Sequence, residues 1–181
     1  MSDLKQKYIK EVIPKMKEKF DYKNNLAVPK IMKTVVNVGI GNILKDEKNQ
    51  ELISKELALI TGQKPMPTQA RKAIAGFKVR EGMIIGLKVT LRGEKMFDFL
   101  SRLINVAIPR TRDFRGFSSK SVDKGGNLTM GIKEHIIFPE ASQEDIKRIF
   151  GLEVTVVTAS KNREEALELF KLLGFPIKKD G

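Results

Sequence analysis

KPMPTQARKAIAGFKVREGMIIGLKVTLRG, residues 64–93, contains seven cationic side chains and a single acidic one, Glu81. This segment carries a formal charge of +6, which is half of the net +12 of the 181-residue chain. A local concentration of Lys and Arg is typical of proteins that bind an anionic polymer such as a nucleic acid. The segment therefore predicts an anionic partner.

The second half of this segment alternates between apolar and polar residues, as a half-buried β-strand does. The apolar positions are Ile85, Leu87, Val89 and Leu91. The positions between and after them are Gly86, Lys88, Thr90 and Arg92. Successive side chains point to opposite faces of a strand, so the pattern predicts an apolar face toward the core and an open face that meets an anion.

A connection over residues 74–84 precedes this strand, with glycines that permit sharp turns at Gly76 and Gly82. Phe77 lies beside Lys78 and Arg80. An aromatic ring can stack on a base while the cations contact phosphate, which predicts nucleic-acid contact. The alternative is a solvated basic loop whose Phe77 packs back onto the core.

The composition argues against several classes of protein. The pI of about 9.8 and the 41% of hydrophobic residues indicate a globular nucleic-acid binder. There is no cysteine and one histidine, His135, for which a surface or partly buried structural role is expected. We expect no metal, no cofactor and no catalysis. The first ten residues are charged throughout and no apolar run reaches the about 18 residues of a membrane span. A cytoplasmic protein without membrane contact is expected.

The remaining patterns predict helices interspersed with antiparallel strands. Helical spacing occurs in residues 3–20 with a break near Pro14, 46–60, 94–107 ended by Pro109, 142–150 after a capping box, and 163–173. Further strands are predicted at residues 30–40, 128–132 and 152–159, and the two prolines at 65 and 67 predict that the segment after them is irregular or lies at a sheet edge. We predict an α+β fold in a single domain over residues 1–181.

The end of the first predicted strand contains small and polar residues. Its apolar residues share one face, which leaves Asn37 and Gly39 open to a ligand. The run Gly39-Ile40-Gly41-Asn42 resembles part of a phosphate loop, but it lacks the third glycine and the lysine of the nucleotide-binding motifs. A nucleotide-dependent enzyme is therefore a minor alternative, and close approach of an RNA backbone is favoured.

A second basic and aromatic run, RTRDFRGF, occupies residues 110–117. No periodicity supports a helix or strand there, so a loop is predicted. Its partner is either RNA or an acidic protein, and the second possibility defines an alternative function as a protein-interaction module.

Seven segments together resemble the family of the bacterial large-subunit ribosomal protein number five, which binds 5S rRNA. They are NNLAVP (24–29), VVNVGIG (35–41), TGQKPMPTQARKAIAGFKVR (61–80), GMIIGLKVTLRG (82–93), PRTRDFRG (109–116), GNLTMGI (126–132) and LLGFP (172–176). They occur in order over most of the chain. The family usually has proline where Ile84 stands.

The resemblance implies a curved, largely antiparallel sheet with helices packed on one side and a long basic loop. It implies a structural role in the large subunit, where the protein anchors 5S rRNA in the central protuberance beside 23S rRNA and neighbouring proteins. The residues implied to face 5S rRNA are Asn37, Gly39, Thr68, Arg71, Lys72, Lys88, Thr90 and Arg92.

The resemblance further implies two contacts outside the 5S rRNA. A loop containing Phe77, Lys78, Arg80 and Gly82 touches the elbow of peptidyl-site tRNA. An intersubunit bridge to a protein of the small-subunit head involves Arg110, Arg112, Asp113, Phe114 and Arg115.

Overall fold

The computed structural model describes residues 3–41, 46–112, 114–141 and 149–178. Asp113 lies outside the described residues, and so does most of the predicted helix over residues 142–150.

The chain begins with an interrupted helix. It consists of α1 (Asp3–Lys7), a π-helical turn (Tyr8–Val12) and α2 (Ile13–Phe20). Pro14 occupies the first turn of α2, where the missing amide proton removes no hydrogen bond of that helix. A kink or split is predicted near Ile13, and the π-turn directly before α2 is the irregularity that the structure has there, with helical backbone through Val12 and Ile13.

The next helices begin and end largely as the sequence predicts. In α3 (Glu47–Thr61), Asp46 Oδ1 accepts a hydrogen bond from Asn49 N at 3.2 Å, and Gly62 ends the helix with φ of 68°. In α5 (Arg163–Leu173), the Asn162 side chain accepts from Glu165 N at 2.9 Å.

The helix after the basic segment runs further than predicted. It comprises α4 (Gly93–Arg102), a π-helical segment (Leu103–Ala107) and a 3₁₀ turn (Ile108–Arg110). The α- and π-helical part ends at Ala107, as predicted, but helical backbone continues past Pro109, because this proline lies in the first turn of the 3₁₀ segment, where a missing amide proton removes no hydrogen bond.

Within the described ranges, five strands form one sheet in the order β2-β3-β1-β5-β4, with every pairing antiparallel. The strands are β1 (Ile31–Gly39), β2 (Met66–Gln69), β3 (Ile84–Leu91), β4 (Leu128–Ile132) and β5 (Leu152–Thr158). The proline-containing β2 lies at an edge of the sheet, which was one of the two possibilities predicted for this segment. Short 3₁₀ turns occur at Asn25–Ala27, Ala75–Phe77, Ser119–Ser121 and His135–Ile137.

One face of this sheet is buried and the other is open. Along β3, Leu87, Val89 and Leu91 are buried, while Lys88 is exposed. The same alternation marks β1, β4 and β5, and the helices α3 and α4 contact β3 and β1 respectively. Because the apolar faces of four strands meet these helices in one core cluster, the α+β class with helices on one side is confirmed.

His135 differs from its prediction. It is 1% exposed, stacked on the ring of Phe150 with centroids 3.9 Å apart, and its Nε2 lies 2.9 Å from Oε2 of Glu56. A surface or partly buried position was expected because an isolated histidine gives no periodic signal. Its role is structural, since it joins α3 to the segment before β5.

Candidate nucleic-acid interface

The open sheet face brings together five of the predicted RNA-facing residues. The antiparallel register places Lys88 of β3 opposite Asn37 of β1, and both are exposed. The neighbouring row on the same face contains Thr90 opposite Val35. The row on the other side contains Gly39 opposite Gly86, with Thr68 of β2 beyond it. Cation, amide, hydroxyl and bare backbone thus lie side by side on three adjacent strands.

The pair of Gly39 and Gly86 leaves the open face of the sheet without side chains at this position. A Cβ on Gly86 would lie 2.7 Å from Thr68 Oγ1 and 3.1 Å from Val38 O, so the Thr68 side chain fits only because residue 86 is glycine. A Cβ on Gly39 would meet no atom within 4 Å, so the space above it is open. An RNA sugar or phosphate can therefore approach the backbone closely at Gly39.

The open face changes in charge from one side to the other. Continuing the row of Lys88 and Asn37 across β5 and β4 reaches Glu153 and Gly131. In the next row the hydroxyls of Thr155 and Thr129 lie 3.3 Å apart. The β2-β3-β1 half is therefore cationic, and the β5-β4 half is mainly hydroxyl-bearing with one carboxylate.

The other three predicted RNA-facing residues flank this face instead of lying on it. Arg92 follows β3 directly with extended backbone (φ −141°) and is exposed. Arg71 and Lys72 follow β2 and are exposed in the connection from β2 to β3. All of them border the cationic half of the sheet.

We call this connection, residues 70–83, the tip loop. Two hydrogen bonds close its base, Ala70 N to Met83 O at 2.8 Å and Gly82 N to Ala70 O at 2.9 Å. Further out, the backbones of Ile74 and Val79 bond each other at 2.9 and 3.2 Å. These bonds hold the two sides of the loop together in an antiparallel arrangement that continues the β2-β3 hairpin.

The end of the tip loop presents an aromatic ring and cations to solvent. Phe77 is 75% exposed, and Lys78 follows it with φ of 54°. Gly82 at the base has φ of 83°, a conformation that favours glycine. The alternative in which Phe77 packs back onto the core is therefore wrong.

The cations of this region are not neutralised within the described chain. The ion pairs among described residues join Lys5 to Glu94, Lys19 to Glu168, Arg102 to Glu140 and His135 to Glu56. None involves a cation of residues 64–93, so the positive potential of the open face and the tip loop acts outward.

The basic run at residues 110–117 forms a separate surface. Arg110, Arg112 and Arg115 line a cleft of about 680 Å³ beside the end of β4, the sheet edge opposite β2. Phe114 and Phe117 pack edge to face with centroids 4.9 Å apart and also contact the core. Since Phe117 is also bonded to the C-terminal segment through Pro176 O at 2.8 Å, the two rings support the loop and the arginines form its outer surface.

The structure adds residues that the sequence did not single out. Gln63 donates its Nε2 to Thr90 O at 3.2 Å at the border of the open face. Lys33 of β1 and Thr155 of β5 also lie on that face. Alternation counted back from Asn37 and Gly39 reaches Lys33, so the pattern that singled out those two residues also contained the signal for Lys33.

The alternative chemistries gain no support. Gly39 is the last residue of β1, and Asn42 lies outside the described residues, so the glycine-containing run at residues 39–42 has only its sequence pattern to set against the nucleotide-binding motifs. Among the residues described, no cluster of His, Asp and Glu could hold a metal ion. Within those same ranges, no helix combines the length and apolarity needed to cross a membrane.

Comparison with known families gives two adjoining matches. Residues 24–80 match the family model described as ribosomal protein L5, and residues 84–177 match the model that describes the C-terminus of that ribosomal protein family. The boundary between the matches falls in the tip loop at the start of β3.

Curated relatives match over nearly the whole length of both chains. The large ribosomal subunit protein uL5 of Dictyoglomus turgidum is 54% identical over 179 residues, covering 99% of this chain and 100% of the relative. That of Syntrophomonas wolfei is 53% identical over 178 residues, with 98% and 100% covered. That of Halothermothrix orenii is 52% identical over 176 residues, with 97% and 98% covered. The chain therefore belongs to the ribosomal protein L5 family, whose members are structural proteins of the large ribosomal subunit and not enzymes.

Proposed function

We propose that the chain binds 5S rRNA through the cationic half of its open sheet face and anchors it in the central protuberance of cytoplasmic ribosomes. The observation that carries the proposal is the cross-strand pairing of Lys88 with Asn37, next to Thr90 and the open space above Gly39. A cation contacts phosphate, while amide and hydroxyl groups hydrogen-bond to ribose and base edges. Neighbouring 23S rRNA and large-subunit proteins are further partners.

The tip loop serves a second contact in this proposal, with the elbow of peptidyl-site tRNA. It projects from the sheet edge and exposes Phe77, Lys78 and Arg80, with no ion pair between these cations and a described carboxylate. An exposed ring between cations suits a folded RNA surface, where the ring stacks and the cations contact phosphate.

The arginine-lined cleft serves a third contact, the intersubunit bridge to a protein of the small-subunit head. Arg110, Arg112 and Arg115 lie beyond β4, at the sheet edge opposite the tip loop. That separation allows a protein partner with acidic side chains to bind there without competing for the 5S rRNA face. The role as a protein-interaction module is thus part of the same function.

The test is a salt series of binding to 5S rRNA, with a scrambled RNA of the same length as control. If about six phosphates are neutralised, log K falls with log salt at a slope of about −5 by counterion release. Arg92→Ala weakens binding, whereas Lys55→Ala, an equal loss of charge on the exposed side of α3, leaves it unchanged. A flat salt dependence, or equal affinity for both RNAs, contradicts the proposal.

A further inference from the structure

A β-bulge near the start of β1 separates Ile31 from the regular alternation of the rest of that strand. The pairing of β1 with β5 shifts between Ile31 and Lys33, and Ile31 is buried although it is two residues from Lys33. From Lys33 onward the alternation is regular, with Thr34, Val36 and Val38 buried and the residues between them on the open face. Bulges re-aim side chains in this way: here the extra residue brings Ile31 to the buried face, while Lys33 keeps the same facing as Asn37 and Gly39.

Lys33 lies next to another cation on the neighbouring strand. The paired register of β1 and β3 ends at Thr34 and Leu91, and Lys33 and Arg92 are the residues next to that last pair on the two chain segments, with the Arg92 backbone still extended. On the other side Lys33 is paired with Val157. Neither cation forms an ion pair with a carboxylate of the described residues.

Two like charges at neighbouring positions of adjacent strands repel each other and destabilise a sheet. The arrangement is therefore unfavourable in the free protein and becomes favourable when an anion lies between the two side chains. Lys88, four residues before Arg92 on β3, is about 13 Å away along the strand at the usual rise per residue. The uncharged pair Thr90 and Val35 lies between these positions.

We propose that Lys33 and Arg92 together bind one RNA phosphate, at a subsite separate from the one at Lys88 and Asn37. The inference rests on the proposed 5S rRNA function and adds Lys33 to the residues that carry it. It makes the open face a surface with two phosphate subsites at its ends and an uncharged hydroxyl row between them.

The experiment compares Lys33→Met with Lys55→Met in the full-length chain, using 5S rRNA and the scrambled RNA across a salt series. Methionine keeps most of the aliphatic stem and removes the charge. For Lys33→Met we expect affinity to fall by about tenfold. The slope of log K against log salt becomes shallower by about 0.8, the value for one phosphate contact. Lys55→Met shows neither change.

Two further measurements are needed. One tests whether a loss of affinity comes from a loss of stability, and the other tests whether Lys33 and Arg92 bind the same phosphate. The melting temperature of Lys33→Met is equal to or above that of the parent, because a like-charge contact is removed. The double variant with Arg92→Met loses less affinity than the product of the two single losses, because both side chains serve one phosphate.

The outcomes distinguish the two proposals. Equal binding of Lys33→Met and Lys55→Met overturns the subsite, and so does a loss of affinity that follows a lowered melting temperature. Multiplicative losses in the double variant overturn the shared phosphate. If the parent protein shows no preference for 5S rRNA, the proposed function fails, while the slopes on both RNAs still decide whether Lys33 contacts phosphate.

Discussion

At the scale of single residues, the two glycines facing each other across β1 and β3 have different roles. Gly86→Ala places a Cβ 2.7 Å from Thr68 Oγ1 and 3.1 Å from a backbone oxygen, so the site must shift. We expect the free energy of unfolding to fall by about 1–3 kcal/mol, the usual cost of overpacking. Gly39→Ala meets nothing within 4 Å, and we expect a change within about 0.5 kcal/mol.

The RNA affinity of these two variants distinguishes an effect on stability from an effect on RNA binding. Gly39→Ala keeps its stability but loses affinity for 5S rRNA, because the methyl group occupies the space through which RNA approaches the backbone. Urea unfolding and RNA titration of both variants provide the measurement. Unchanged affinity in Gly39→Ala would show that the RNA does not contact the sheet there.

His135 makes the stability depend on pH. Burial lowers the pKa of His135, and its Nδ1 accepts a hydrogen bond from Phe150 N at 3.3 Å, which requires an unprotonated nitrogen. The short contact with Glu56 is therefore a hydrogen bond from a neutral Nε2–H. In the unfolded chain the imidazole titrates near its ordinary value of about 6.5.

The unfolded state thus binds more protons than the folded state as the pH falls below about 6.5. We expect full stability above that pH and a loss of at most about 1.4 kcal/mol per pH unit below it. His135→Phe keeps the ring stacking and removes the titration, so its stability is flatter between pH 5.5 and 8. Urea unfolding across that range is the measurement, and identical pH profiles for parent and variant would contradict the assignment.

At the scale of elements, the prediction from sequence succeeds where the signal is local. The ends of α3 and α5 follow from Asp46, Gly62 and Asn162, because capping depends on residues next to the helix. The orientation of β3 follows from its alternation. The π-helical segments, the bulge before Lys33 and the helix that continues through Pro109 were not predicted, because packing against distant elements determines them.

The tip loop is the element whose function can be separated from the rest. Its base is closed by backbone hydrogen bonds of Ala70 with Met83 and Gly82, so changes at its exposed end leave the sheet intact. We expect Arg80→Ala to change stability by less than about 0.5 kcal/mol and to leave 5S rRNA affinity unchanged. Binding of peptidyl-site tRNA to ribosomes that carry this variant is weakened.

Toeprinting or filter binding with Arg80→Ala ribosomes measures the binding of peptidyl-site tRNA. Arg92→Ala is the matched comparison. Arg92→Ala lowers 5S rRNA affinity, because Arg92 borders the sheet face. Equal losses of 5S rRNA affinity in both variants would contradict the separation of tip loop and sheet face.

At the scale of the whole molecule, the order of the strands decides whether the chain is one cooperative unit. The two family matches meet between residues 80 and 84 and suggest two halves. Yet β1, from the first half, is the central strand, and it pairs with β3 and β5 of the second half. The buried residues form one cluster that extends from Leu4 to Phe175.

Neither half can therefore form its part of the sheet alone, and the prediction of a single domain over residues 1–181 becomes testable. We expect one unfolding transition by calorimetry, with the calorimetric enthalpy equal to the van't Hoff enthalpy. A fragment of residues 1–80 should lack stable structure, because β1 has lost both neighbours and β2 has lost β3. Far-UV circular dichroism of the fragment and scanning calorimetry of the full chain are the measurements. Two separable transitions, or a folded fragment, would show that the family boundary is also a domain boundary.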